Sequence, residues 1–247
     1  MYFDRARFKG DIIAEFGIPE GGSNKVITLC DGVPTVPSKH ILMRFLVKRG
    51  FAVFHMRYRG TWESGGEFLK RSPHEDVLDL INEIPKGFTG LWGQEYCKIE
   101  PKKIYIFGSS FGGSAALLAA SDPRVTKIVV FSPVVDWTEE TEEEPFRRFL
   151  EEVFEGYKGA YRAADASWEK LEAGAFYNPV QHEGEIPPGK VLIIHARDDT
   201  SVAAGPVKAF AERIGCRLIM LRRGGHFGAS KATEWLLWWR IRQFLSK

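Results

Sequence analysis

The chain reads as an α/β protein: a mostly parallel sheet with helices on both faces and a helical cap inserted between two strands. Three observations predict this. From residue 25 onward, the short apolar runs KVITLC, FAVFHM, IYIF, TKIVVF, KVLIIH and CRLIML alternate with stretches of helical spacing, the pattern of strands joined by crossover helices. The 25 glycines suit many tight strand-to-helix turns. Residues 136–186 interrupt the alternation with no convincing strand, which makes them an insertion between two sheet strands.

Taken in order, residues 8–16 read as an edge strand, and the turn-rich GIPEGGSN follows. Residues 25–30 form the first core strand and end in Asp31-Gly32-Val33-Pro34. Residues 38–48 have helical spacing, with Ile41, Leu42, Phe45 and Leu46 expected on the buried face, and Gly50 ends them as a C-terminal glycine should. A strand over 51–56 leads into the loop RYRGTWESGGEF. Ser72-Pro73 predicts a helix start, with Ser72 as N-cap and Pro73 in the first position. Val77, Leu80, Ile81 and Ile84 give that helix its buried face. The segment GFTGLWGQEYCKIEPKK reads as a long loop. Strands are expected at 104–107, 126–131, 190–195 and 216–221, with helices at 206–214 and 233–245. The inserted segment holds the acidic run EETEEEPFRRFLEEVFEG, read as a solvated helix face, and then two aromatic-rich helical pieces. With no repeat and no low-complexity linker, one domain over 1–247 is expected, with 136–186 as its cap.

Composition narrows the function. A formal charge of +2 gives no general attraction to nucleic acid or to a membrane surface. No stretch approaches the run of about 18 apolar residues that a membrane span needs. The N-terminus MYFDRARFKGD lacks the apolar core of a signal peptide. Cys30, Cys97 and Cys216 have no C-x-x-C pairing and, being three, cannot all pair internally. A cytoplasmic protein is expected. No cluster has metal-ligand spacing and GSSFGG lacks the Gly-Lys-Ser/Thr of a phosphate-binding loop, so neither a metal nor a cofactor is expected. The sequence leaves the oligomeric state open, homo-oligomers included.

The chemistry starts at residues 104–120, IYIFGSSFGGSAALLAA. This is G-x-S-x-G between a strand and a helix, the context in which that motif carries meaning. A serine on a sharp strand-to-helix turn projects its hydroxyl off the sheet and tolerates only small neighbours, so Gly108 and Gly112 flank Ser110. Ser110 is the candidate nucleophile. It needs a base, and the base needs an orienting acid. His226, in RGGHFG between the last strand and the last helix, is the candidate base. The acid is expected in the preceding strand-to-helix loop, HARDDTSV, where Asp198 and Asp199 compete. Asp199 lies deeper in the loop and can turn toward His226, whereas Asp198 suits a solvated or turn-forming role. His195 is read as a packing residue. Two backbone donors are expected to hold the oxyanion. One is the N–H of Phe111. The other comes from the loop after KVITLC, where Val33 is the candidate, because Pro34 has no N–H. Arg57, Arg59, Glu63 and Glu67 are read as loop-bracing charges.

Together, GSSFGG, RYRGTWESGGEF, SPVVDW, HARDDTSV and GGHFG resemble the α/β-hydrolase superfamily, and within it the catalytic domain of the prolyl oligopeptidase family. The likeness runs from about residue 25 to the C-terminus. It implies an α/β-hydrolase fold, a Ser-Asp-His order and an acid four residues after the histidine of the acid loop, which here is Asp199. It also implies differences. The family's peptidases carry an N-terminal propeller, for which the residues before the first core strand leave no room. The oxyanion segment is Cys30-Asp31-Gly32-Val33 rather than a His-Gly or Gly-Gly-x-Gly run, and Arg57 stands where an aspartate is usual. The expectation is therefore a serine hydrolase acting on a small ester or a short peptide-like amide. An acyltransferase on the same triad, or a non-catalytic binding protein, is the rival reading.

Overall fold

The computed structural model describes residues 1–142 and 145–247. Its sheet begins as a hairpin, β1 (Tyr2–Phe8) with β2 (Ile12–Ile18). The expected single strand over 8–16 therefore runs through a turn: Lys9 and Gly10 adopt positive φ and reverse the chain. β3 (Lys25–Cys30), α1 (His40–Val47) and β4 (Ala52–Met56) follow, then α2 (Pro73–Glu83). The expected long loop contains a two-residue ladder, β5 (Phe88–Thr89) with β6 (Tyr96–Cys97). β7 (Lys103–Ser109), α3 (Phe111–Ala119) and β8 (Val125–Phe131) carry the elbow. Between β8 and β9 (Val191–Ala196) lie α4 (Phe146–Glu151) and α5 (Asp165–Glu172), with shorter helical turns at Glu152–Gly156 and Pro179–Glu185. The chain closes with α6 (Ala204–Ile214), β10 (Arg217–Leu221) and α7 (Trp235–Leu245).

The main sheet has the order β1-β2-β4-β3-β7-β8-β9-β10. β1, β2 and β4 pair antiparallel, and every pairing from β4 to β10 is parallel. A parallel sheet is covered on both faces, which is why its strands are apolar throughout. Successive residues then feed opposite cores. Ile104 and Ile106 of β7, with Ile128 and Val130 of β8, pack beneath α2, α3, α6 and the inserted segment. Tyr105, Phe107, Val129 and Phe131 pack against α1 and α7.

Local signals explain most helix ends. Ser72 and Glu75 form a capping box around Pro73 at the start of α2, which satisfies two amides that the first turn leaves open. Gly215 closes α6 in the left-handed conformation. In α1 the buried residues are Leu42, Met43, Leu46 and Val47, and Ile41 is 80% exposed. The expected face is thus rotated by one position, because α1 packs on α7 as well as on the sheet, through Phe45 against Trp238 at 5.2 Å. In α7 itself Trp238 is buried while Trp235 and Trp239 face outward.

Among the described residues, the inserted segment holds no strand of the sheet. One isolated bridge, Thr61 to Tyr161, ties it to the loop after β4. Phe146, Phe149, Tyr161, Trp168 and Tyr177 are buried, and Phe154 is exposed. Glu143 and Glu144, part of the acidic run, lie outside the described residues. Among the described residues, no helix is long and apolar enough to cross a membrane.

Candidate active site

β7 delivers Ser110 at the end of its run, and the backbone there does what the motif demands. Ser110 adopts φ 50°, ψ −119°, a region costly for a residue with a Cβ and common where strain serves function. The surroundings hold it there. Ser110 N–H donates to Phe131 O at 3.0 Å, and its carbonyl accepts from Gly113 N–H at 2.8 Å and Val134 N–H at 3.2 Å. Neighbouring side chains are excluded by contact. A Cβ on Gly112 would collide with the carbonyl oxygens of Cys30 and Asp31, and one on Gly108 with the Gly112 carbonyl. Gly113, not anticipated as a packing glycine, would meet Pro133 in the same way.

The candidate acid and base come from the loops after β9 and β10. Asp199 lies across from His226, whose Nδ1 is 3.0 Å from Oδ2 and 3.1 Å from Oδ1. Oδ1 also accepts the amides of Ser201 at 3.1 Å and Val202 at 2.9 Å. Burial pushes the Asp199 carboxyl up, but the hydrogen bond and charge of His226 outweigh it, with smaller help from Val202 N–H and the Ser132 hydroxyl. The net result is a carboxyl below its ordinary range, an acceptor that remains charged. The Asp199 side chain is fully buried while that of His226 is 31% exposed, so one end of the imidazole is anchored and the other faces the cavity. Asp198 does something different: its Oδ1 accepts Gly225 N–H at 3.0 Å, bracing the loop that presents His226. His195 is buried and donates from Nε2 to Val202 O at 3.0 Å. Burial holds its pKa down, so it packs beneath the site as a neutral ring.

Ser110 and His226 line one cavity, together with Gly32 and Val33. Among the described residues no hydrogen bond joins them, and contacts of this kind often tighten only when substrate binds. A Cβ on Gly32 would lie 3.2 Å from that of Ser110, so the loop carrying Val33 passes directly beside the candidate nucleophile. Among the described residues the amides of Val33 and Phe111 have no acceptor, which leaves both free for an oxyanion. Of the five expected site residues, Val33, Ser110 and His226 line this depression, and Asp199 and Phe111 lie buried behind it. A second cavity also reaches Ser110 and Val33 and is walled by Val135, Trp137, Phe146 and Phe149, with Asp136, Glu139 and Glu140 among its lining residues.

Sequence reasoning missed the polar cluster behind Val33. The fully buried His55 donates from Nε2 to Asp31 Oδ2 at 2.7 Å. Lys39 Nζ lies 2.9 Å from Asp31 Oδ1, and Arg57 Nη2 lies 3.0 Å from Glu15 Oε1. The one available signal was a histidine inside the apolar run FAVFHM. Arg59 is bound by Asp11, Asp76 and Asp79 and Arg57 also meets Glu63, so these arginines brace the loop after β4 as expected. Burial pushes Asp31 and Glu15 up. For Asp31 the charge and hydrogen bond of His55, then Lys39, more than offset it. For Glu15 the offset comes from the His55 hydrogen bond and the Arg57 charge. Both carboxyls end at about 2.

Folded values below the unfolded ones mean stability that is present above the ordinary carboxylate range and lost as pH falls toward 2. The size is about 2–3 kcal/mol per group. Urea unfolding measured from pH 5 down to pH 2 should therefore show a steep loss of stability, with a shallower slope for Asp31→Asn. Equal slopes would refute this role for Asp31. Burial and the Asp31 charge also push the Cys30 thiol up, which removes it as a rival nucleophile. Among the described residues no group of three or more His, Cys, Asp or Glu is placed to hold a metal ion.

Comparisons place this geometry among known proteins. A protein of Escherichia coli, described as an uncharacterized 31.7 kDa protein of the traX-finO intergenic region, is 28% identical over 127 residues, covering 48% of this chain and 41% of that protein. The chain thus matches less than half the length of this curated relative. Among solved structures, the Pyrococcus furiosus esterase Pf2001 superposes with a TM-score of 0.70 at 19% identity, over 99% of this chain and 90% of that one. The Pyrococcus horikoshii acylaminoacyl peptidase superposes with a TM-score of 0.67 at 15% identity, over 99% of this chain and 41% of that one. The α/β hydrolase GrgF from Penicillium does so with a TM-score of 0.70 at 16% identity, over 95% of this chain and 93% of that one. At these identities the structural likeness shows the α/β-hydrolase fold. The description "prolyl oligopeptidase family" matches residues 38–235, most of the sheet and every loop after Val33 that feeds the site, and the chain belongs to that family.

Proposed function

We propose that the protein is a serine hydrolase that cleaves a carboxylic ester, or a short acyl or aminoacyl amide, through an acyl-enzyme on Ser110. His226 Nε2 takes the proton of Ser110 Oγ as Oγ bonds to the substrate carbonyl carbon. The carbonyl oxygen becomes an oxyanion and receives hydrogen bonds from the amides of Val33 and Phe111. As the intermediate collapses, the bond to the leaving group breaks and His226 returns the proton to it. Water then attacks the acyl-enzyme by the same route and releases the acid. Asp199 keeps the Nδ1 proton in place, so that Nε2 is the basic nitrogen.

The observation that carries this reading is the Asp199–His226 pair opening onto the cavity that holds Ser110 at positive φ. A serine held at positive φ beside the free amides of Phe111 and Val33 is explained by catalysis and not by packing. The esterase and peptidase among the fold neighbours fit either substrate class. We further propose that residues 136–186 act as a cap within one domain, since Trp137, Phe146 and Phe149 wall the smaller cavity, of about 70 Å³, beside Ser110. A cavity of that size favours short acyl chains. A panel of p-nitrophenyl esters of increasing chain length, beside aminoacyl and acylaminoacyl anilides, tests the reading. Turnover should peak at short esters and fall for long ones. Absence of turnover across the whole panel would contradict it.

A further inference from the structure

Two cavities meet at Ser110, and they differ in character. The smaller is walled by Val135, Trp137, Phe146 and Phe149, with the carboxylates of Asp136, Glu139 and Glu140 also on its lining. The larger, of about 420 Å³, is lined by His226 and by Lys39, Thr35, Glu152 and Ser230. A general acid must reach the atom it protonates. His226 lines the larger cavity and not the smaller, so the leaving group occupies the larger one and the acyl group the smaller.

We propose that the larger cavity is a site for a neutral, polyhydroxylated leaving group, which makes the preferred substrate an ester of a short acid with a polyol. The inference rests on the hydrolase reading above and adds the alcohol to it. Lys39 is held against Asp31 at 2.9 Å with its side chain only 14% exposed, and Asp31 is in turn fixed by His55. The ammonium is therefore placed before any ligand arrives, with two of its three donors left over. Glu152, exposed at the start of the turn after α4, supplies only acceptors. Asp31 also lines this cavity and neutralises Lys39, so a cationic leaving group, which cannot accept, would leave the spare Lys39 donors unmet, and an anionic one would meet both Asp31 and Glu152. An apolar one would desolvate Lys39 and Glu152 without replacing their hydrogen bonds. Neighbouring hydroxyls satisfy both groups, because each donates as well as accepts, and Thr35 and Ser230 extend the same chemistry along the wall.

The test uses two butanoate esters that share the acyl group and a three-carbon alcohol, 1-butanoylglycerol and n-propyl butanoate. The expected ratio of kcat/KM favours the glycerol ester by about tenfold, the scale of hydrogen bonds to charged groups that remain near solvent. Lys39→Met should lower that ratio about tenfold and Glu152→Gln about threefold. The ratio cancels any general loss of activity, and Glu152 is exposed, so its substitution does not endanger folding. A ratio at or below one, or a ratio unmoved by both substitutions, would overturn the inference while leaving the hydrolase intact. Absence of Ser110-dependent hydrolysis of both esters would overturn the hydrolase reading as well.

Discussion

Ser110→Ala should lower kcat by about 10⁶, the size of loss seen when one member of a cooperating catalytic set is removed. In the proposed mechanism the hydroxyl forms the covalent bond to substrate, and neither neighbouring candidate replaces it. Ser109 is buried and its Oγ already accepts Ala229 N–H at 2.8 Å. The thiol of Cys30 is buried and held protonated. The variant should fold, because alanine removes one oxygen from a partly exposed side chain and relieves no packed contact. The check is the single-turnover rate on a p-nitrophenyl ester beside the urea midpoint. An unchanged midpoint with a rate near background is the expected pair.

Asp199→Asn should lower kcat by about 10⁴ with little change in KM. The carboxylate accepts three N–H groups, those of Ser201, Val202 and the His226 ring. An asparagine can keep its oxygen on the two amides at Oδ1, which turns its NH₂ toward His226 Nδ1. That nitrogen must then accept, the proton moves to Nε2, and the ring can no longer take a proton from Ser110. Asp198→Asn retains an oxygen for Gly225 N–H and should cost less than about tenfold, since it only braces the loop. The kcat and KM of both variants separate the two neighbouring carboxylates and test the choice of Asp199.

Much of this was legible before any coordinates because a parallel α/β sheet repeats one local pattern. Each core strand is an apolar run, and its C-terminal end is where a site residue sits. Ser110, Asp199 and His226 follow β7, β9 and β10, so finding the strands located the candidates. Val33 was reachable in the same way, as the residue with a free amide after β3. What escaped has no local pattern. The Asp31–His55 contact joins residues on neighbouring strands, and strand order is not written into either segment. Residues 8–16 read as one strand because the apolar residues on both sides of Lys9-Gly10 hide the reversal between β1 and β2. The rotated face of α1 depended on α7, which is distant in sequence. The inserted segment showed its helices and aromatics, but which of them reach Ser110 follows from packing alone.

The central claim is that Ser110 is a nucleophile activated by His226 and Asp199. A fluorophosphonate bonds only to an activated serine, so the most direct measurement is mass spectrometry of the folded protein after exposure to such a probe. The account predicts one adduct, on the peptide carrying Ser110, absent in Ser110→Ala and strongly slowed in Asp199→Asn. A folded protein with no adduct, or with its adduct on another residue, would contradict it.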